Sequence, residues 1–489
     1  MPESHSRAPL ASIAAAVGED SQTAGAQPSK APDERIYLTA TELTRRYRTG
    51  TLSPVEVVTA LLDRIEGVNP KVNALYFIDA EGALRAAAAS EDRWRRGEPQ
   101  GVLDGVPVML KDSVSAVGMP SYYGTLATNP AQAIAAEDAP VTARLKEAGA
   151  VLIGKTTMPD FGMIASGISS RYGVTRNPWD LSRNSGGSSS GAGAGLAAGF
   201  APLAIGTDIG GSVRIPAAFC GAFALKPSYG RVPLHYPAPW LIAGPMTRTV
   251  VDAALLMNVI TRPDDRDFTA LPHIDRDYCA GIEAGIRGVR IGVLGNIGFG
   301  LAVDPQVTAM LGRAAEIFAS LGAIVEPVLP IFDKDPEPDF DRCVHVGSYL
   351  TFAGLSLERQ QSVMPIIADW CRRRNADSVV ELMRSQIAIG KIRQQTLMPF
   401  AHCDYLLSPT MAVLPYAAEL PWPPGGTAHN PFCFPFNVSE HPAASVNGGF
   451  SCEGLPIGLQ IIGRRFDDHG VLRVAFAFEQ AAGYYRRHP

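Results

Sequence analysis

Residues 186–199 read GGSSSGAGAGLAAG, and 13 of these 14 positions are Gly, Ser or Ala. A stretch this poor in large side chains has two physical uses. It can stay out of the core as a flexible linker, which is what composition alone describes. It can also let backbone approach backbone more closely than ordinary side chains allow. The residues just downstream favour the second use. Phe200 to Ile205 is apolar, and then Gly206-Thr207-Asp208-Ile209-Gly210-Gly211-Ser212-Val213-Arg214 sets charges and another serine beside paired glycines. A linker has no need of that arrangement. Paired glycines next to a serine suit a backbone whose N–H groups must converge on one oxygen. The chain carries 48 glycines and 39 prolines in 489 residues, a count that would also suit low complexity, so the placement of the glycines decides the matter.

The flanking sequence is that of an ordered α/β protein. Ser53-Pro54-Val55-Glu56 is a capping box with proline at the first helical position, and Val57, Leu61, Leu62 and Ile65 continue it as an apolar stripe. Val141 to Glu147 reads as a helix stopped by Gly149, with Ala150 to Ile153 as a buried strand. The pattern recurs: Val289 to Leu294 as a strand, a helix from Asp304-Pro305 to Leu321, Gly322 as its stop, and Ala323 to Val325 as a strand. Tyr405 to Leu407 and Ile457 to Ile462 are further strands. Alternating strands and helices predict an α/β sheet covered on both faces. Residues 1–35 are expected to be a disordered tail, with residues 36–489 as one domain and no internal repeat.

Several functions are argued against by what the chain contains. Forty-three basic against 48 acidic residues give a net charge of −5, the wrong sign for a protein that grips nucleic acid. No run of 18 apolar residues exists, so no membrane span is expected, and the N-terminus lacks the basic cluster of a secretory signal. Seven scattered cysteines without a CxxC pair read as reduced thiols in a cytoplasmic protein. There is no HExxH or close histidine spacing, so neither a metal nor any other cofactor is expected. Gly187 to Gly191 formally matches GxSxG, but Asn177 to Asn184 before it reads as a loop where the nucleophile elbow needs a strand. Gly193 to Ala198 matches GxGxxA with no strand before it either.

A serine nucleophile without such an elbow needs another base, and a lysine can serve if it is kept neutral. Gly105-Val106-Pro107-Val108-Met109-Leu110-Lys111-Asp112 ends an apolar, strand-like run on Lys111. Taken alone, Lys111 also reads as a strand-end lysine reaching solvent. Together, GVPVMLKD, GGSSSGAGAG and GTDIGGSVRIPA, in this order, resemble the amidase signature family. The resemblance continues through KPSYGRV at 226–232, GPMTR at 244–248 and GLPIGLQ at 454–460, and covers residues 36 to about 480.

The resemblance implies a single large α/β/α domain around a central mixed, twisted sheet. It implies a Ser–cis-Ser–Lys triad, with Ser212 as nucleophile, Ser188 as the bridging serine after a cis bond and Lys111 as base. The N–H groups of Ile209, Gly210, Gly211 and Ser212 would hold the oxyanion, and Asp208 with Arg214 would form a supporting ion pair. Tyr122, Tyr123, Met163 and His441 are the implied substrate-binding residues. The implied reaction is hydrolysis of amide C–N bonds, aryl amides among them, with esters, carbamates and urethanes within the family's chemistry. The implied partner is a small-molecule amide or carbamate, and the family's habit points to a homodimer. The alternative is the glutaminase subunit of an amidotransferase complex, which carries the same motifs. A catalytically dead binding protein on this scaffold is argued against by intact Lys111, Ser188 and Ser212.

Overall fold

The short elements announced by the sequence form where their caps place them. In the computed structural model, which describes residues 33–489 apart from residue 236 and residues 427–429, the helix Pro54–Val72 begins at a complete capping box. Ser53 Oγ accepts from the N–H groups of Val55 and Glu56 at 3.1 and 3.2 Å, and Glu56 Oε2 accepts from Ser53 N–H at 2.8 Å. These bonds satisfy donors that the first turn would otherwise leave orphaned. Val57, Leu61 and Ile65 are buried as the stripe predicts. The helix Pro140–Glu147 is followed by Gly149 at φ +78°, and the helix Pro305–Ser320 by Gly322 at φ +87°. Both glycines occupy the left-handed region that ends helices. The expected tail lies, up to residue 32, outside the described residues.

Eleven strands form one mixed sheet: β1 (Leu75–Ile78), β2 (Pro107–Lys111), β3 (Val151–Thr156), β4 (Leu203–Asp208), β5 (Phe223–Lys226), β6 (Ile242–Thr247), β7 (Arg290–Val293), β8 (Ile324–Pro327), β9 (Tyr405–Pro409), β10 (Ala443–Phe450) and β11 (Pro456–Gly463). Their order across the sheet is β1-β3-β2-β4-β6-β5-β10-β11-β9-β7-β8. β3, β2 and β4 run parallel, as do β9, β7 and β8, while the pairings from β4 through β6, β5, β10 and β11 to β9 are antiparallel. Alternate residues divide between two cores. Val108, Leu110, Leu203 and Ile205 pack on one face against the helices Val250–Ile260, Pro305–Ser320 and Asp468–Ala482. Met109 and Ala204 pack on the other face with Ala192, Ala194, Leu196 and Ala217. Lys111 follows Met109 by two residues and so shares its parity on the strand. Asn447 stands at a bulge in β10, where its side-chain oxygen accepts from Gly449 N–H at 3.0 Å.

The Gly/Ser/Ala window is not a linker. Ser190–Ala197 is a wholly buried helix lying between the sheet and the Pro54–Val72 side of the molecule. Its small side chains are the condition for that depth. A Cβ added at Gly191 would sit 2.1 Å from Ala74 O and 2.5 Å from Thr157 N. Those are backbone atoms, so they cannot rotate away. Gly191→Ala is therefore expected to destabilise the protein by about 3 kcal/mol through overpacking. Gly312→Ala is the control: an exposed mid-helix glycine with nothing within 4 Å of an added Cβ. It should gain about 0.5–1 kcal/mol from helix propensity. Thermal melts of the two variants should move in opposite directions, and equal shifts would contradict this packing.

One local expectation is corrected. Residues 177–184 are not all loop, because Arg176–Asn177 pairs with Asp180–Asn184 as a small hairpin separate from the main sheet. An Asx turn closes it, with Asn177 Oδ1 accepting from Trp179 N–H at 3.1 Å.

Candidate functional site

β2 delivers Lys111 into the protein rather than to solvent. The side chain is 1% exposed. Its Nζ lies 2.8 Å from Ser188 Oγ, 2.9 Å from Thr207 Oγ1 and 3.3 Å from Thr207 O. An ammonium would donate to all three. A neutral amine has two hydrogens for the Thr207 oxygens and a lone pair left for the Ser188 hydroxyl. Burial pushes Lys111 down to about 7, although the carboxylates of Asp208 and Asp112 resist the shift. The neutral form is thus accessible near physiological pH.

One backbone segment brings Ser188 to this lysine, and a second, carrying Ser212, is tied to it. The Gly187–Ser188 peptide bond is cis, and the next residue ties the segments together by donating Ser189 N–H to Ser212 O at 3.0 Å. Gly187 is enclosed by the backbone of Ser166 and Ile164, which leaves no room for a side chain. Lys111, Ser188 and Ser212 all line one cavity of about 1190 Å³.

The loop between β4 and the helix Arg214–Cys220 is shaped by Asp208. Its carboxylate accepts from Gly211 N–H at 2.8 Å and from Val213 N–H at 3.1 Å. This sets one of the four expected oxyanion donors apart from the others. The Gly211 N–H is committed to Asp208, and Gly211 does not line the cavity. Ile209, Gly210 and Ser212 do line it, and their N–H groups have no hydrogen-bond partner among the described residues. Gly211 is required for a different reason: its φ is +122°, and an added Cβ would meet Ile215 and Cys433 side chains at 2.7 and 2.8 Å. Asn430, also on the cavity wall, donates to Gly210 O at 3.2 Å.

Asp208 and Arg214 form a fully buried, bidentate pair, Nη2 to Oδ1 at 2.9 Å and Nε to Oδ2 at 3.0 Å. The remaining guanidinium donors go to Gln460 Oε1 at 2.7 Å, Cys433 O at 3.1 Å and Asn437 Oδ1. Asn437 Nδ2 in turn donates to Asp208 Oδ1 at 2.9 Å. Burial alone would raise the Asp208 carboxyl. The charge and hydrogen bonds of Arg214, with those of Asn437 and Gly211, outweigh it and hold the group below the usual carboxylate range.

The four residues expected to bind substrate separate. Tyr123 and Met163 line the cavity. Tyr122 does not: its N–H donates to Asp112 at 2.6 Å, and the Arg171 guanidinium lies 4.0 Å from its ring centre. His441 does not either. It is buried, stacked on Phe400 at 4.9 Å, with Nδ1 2.8 Å from Ser439 Oγ. Burial, aided by the charges of Lys226 and Arg465, pushes it down to about 3, so it is a neutral packing residue.

Asp112, whose role the sequence did not announce, organises the cavity wall beside Lys111. It accepts from Tyr76 and Tyr172 hydroxyls at 2.8 and 2.9 Å and from Tyr122 and Gly124 N–H groups at 2.6 Å each. A second buried lysine, Lys155, caps the same turn through Asp112 O, Val114 O and Ser121 Oγ. Among the described residues no cluster of His, Cys, Asp or Glu could hold a metal ion, and no helix is long and apolar enough to cross a membrane.

Comparisons with known proteins find similarity along most of the chain. A family model described as Amidase matches residues 56–472. The chain is 36% identical to a glutamyl-tRNA(Gln) amidotransferase subunit of Myxococcus xanthus, over 92% of this chain and 98% of that one. It is 33% identical to an acylamidase of Rhodococcus erythropolis, over 93% and 97%. The crystal structure of a bacterial aryl acylamidase of the amidase signature family superposes with a TM-score of 0.85 at 32% identity, covering 92% of this chain and 98% of the other.

Proposed function

The chain belongs to the amidase signature family, and from that premise we propose that it hydrolyses amides through a Ser212 acyl-enzyme. Ser212 Oγ attacks the scissile carbonyl while its proton passes to Ser188, and the Ser188 proton passes to neutral Lys111. The N–H groups of Ile209, Gly210 and Ser212 receive the oxyanion, each donor contributing about 3 kcal/mol to the transition state. Lys111 returns the proton through Ser188 to the departing amine. Water then attacks the ester carbonyl, gives a proton to the same relay and releases the acid and Ser212. Asp208 and Arg214 act as positioning residues that fix the loop.

The observation that carries this reading is the contact of the buried Lys111 Nζ with Ser188 Oγ at 2.8 Å beside a cavity bordered by unpartnered N–H groups. The substrate class proposed is a small amide, with anilides first and aryl carbamates and esters as slower substrates. The test is a panel of aliphatic amides, anilides, glutamine and aryl carbamates. Turnover of anilides by the isolated chain is expected. Turnover confined to glutamine would instead favour an amidotransferase subunit, and turnover of none would overturn the hydrolase reading.

A further inference from the structure

The helix Glu337–Ala353 runs along one wall of the cavity and turns Glu337, Phe340, Asp341, Val344, His345 and Ser348 toward it. These positions recur at the three- and four-residue spacing of one helix face. Phe340 fixes where that face stands relative to the chemistry. Its ring would lie 3.6 Å from a Cβ built on Gly210, and it stacks on Phe434 with 4.6 Å between ring centres. Glu337 is one turn before Phe340, with about 5–6 Å between the two Cβ atoms. The near end of the helix is therefore beside the loop that carries Ser212. Arg359, the cavity's other formal cation besides Lys111 among the described residues, comes after the far end of a helix about 24 Å long.

The two carboxylates on this face differ in their partners. Asp341 is answered within the protein by His345 Nδ1 at 2.5 Å, Arg374 at 3.5 Å and Trp370 Nε1 at 3.3 Å. The Glu337 carboxylate makes no hydrogen bond or ion pair with any described residue, and only its backbone N–H is used, donated to Asp335 Oδ1 at 2.9 Å. Burial, with the nearby charges of Asp335 and Asp341, pushes Glu337 up to about 7. A carboxylate placed this way has the N-terminal end of its helix beside it but no cationic side chain among the described residues, and an occupant of the cavity can supply the positive charge.

We propose that Glu337 is a specificity-determining residue that receives an ammonium group carried by the amide substrate, several bonds away from the scissile carbonyl. The proposal rests on the cavity being the amide-hydrolysing site. It is tested with two matched series: anilides whose acyl chains end in an ammonium or in a methyl group, and amides of diamines or of alkylamines with the same number of heavy atoms. Assays are run at about pH 8.5, where carboxylates are ionised and aliphatic ammonium groups remain charged. In one series at least, kcat/KM should favour the ammonium member by about 10- to 100-fold, the range of a hydrogen bond to a charged group. Glu337→Gln should collapse that ratio, and Glu337→Lys should shift preference to acyl chains ending in a carboxylate. Equal turnover of both members in both series would overturn the proposal while leaving the hydrolase reading intact. A preference unchanged in Glu337→Gln would also overturn it. Absence of turnover with every amide would count against the hydrolase reading itself.

Discussion

Ser212→Ala is expected to lower kcat on the best amide of the panel by about 10⁴-fold or more, the scale seen when a nucleophile acting as part of a unit is removed. Its melting temperature should stay close to that of the parent, because the change removes one hydroxyl from a residue that lines the cavity. The same variant separates nucleophile from bystander. A fluorophosphonate reagent should label the wild-type chain at Ser212 and leave Ser212→Ala unlabelled, although Ser188 and Ser189 lie nearby. Labelling that persists in Ser212→Ala would reassign the nucleophile. Because the residual rate would come from binding and the oxyanion donors alone, Ser188→Ala and the double variant should cost little more than Ser212→Ala by itself.

The second large effect belongs to Lys111. The relay needs its neutral form, so kcat/KM should rise with pH through a value near 7, where burial places this lysine. The sign follows directly: below that value the amine is protonated and cannot accept, and above it the base is ready. An unperturbed lysine would move the rise to about pH 10. Lys111→Met should abolish turnover by a similar factor of about 10⁴ and yet leave a folded protein, since a buried amine is replaced by an apolar chain of similar length. Initial rates from about pH 5 to 9 check the profile. A flat profile down to acid pH would contradict a lysine base. The same shift has a thermodynamic side. Between about 7 and the ordinary lysine value near 10.5, the unfolded chain binds a proton that the folded chain does not. Stability contributed through Lys111 therefore increases with pH across that window.

Local signals were legible in the sequence where the physics is local. The Ser53–Glu56 box, the stops at Gly149 and Gly322, and the strand ending on Lys111 depend on residues within a few positions of one another. The order of GVPVMLKD, GGSSSGAGAG and GTDIGGSVRIPA carried the family. Contacts between distant segments were not legible. Asp208 meets Asn437, and Arg214 meets Gln460, across separations of 229 and 246 residues. No periodicity encodes such a pair. The commitment of the Gly211 N–H to Asp208 was hidden for a related reason, since the spacing in GTDIGGS tells which N–H groups are near a serine but not which are already taken. His441 followed a family loop in sequence yet packs among aromatic rings, stacked on Phe400 and edge-on to Phe436. Glu337 had no signal: its meaning depends on the cavity wall that the helix forms.

The Asp208–Arg214 pair has a consequence for how such a molecule comes into being. The ligands of Arg214 are supplied by residues 433, 437 and 460, the last of them on β11 in the interior of the sheet. A nascent chain that has exposed Ser188, Ser212 and Lys111 still lacks every group that holds the guanidinium, apart from Asp208. The loop that would shelter an oxyanion can take its final shape only once the chain has been made through residue 460. The proposed site is thus withheld until β11 has been made, and a chain broken off before residue 460 would carry all three proposed triad residues without the contacts that shape their loop.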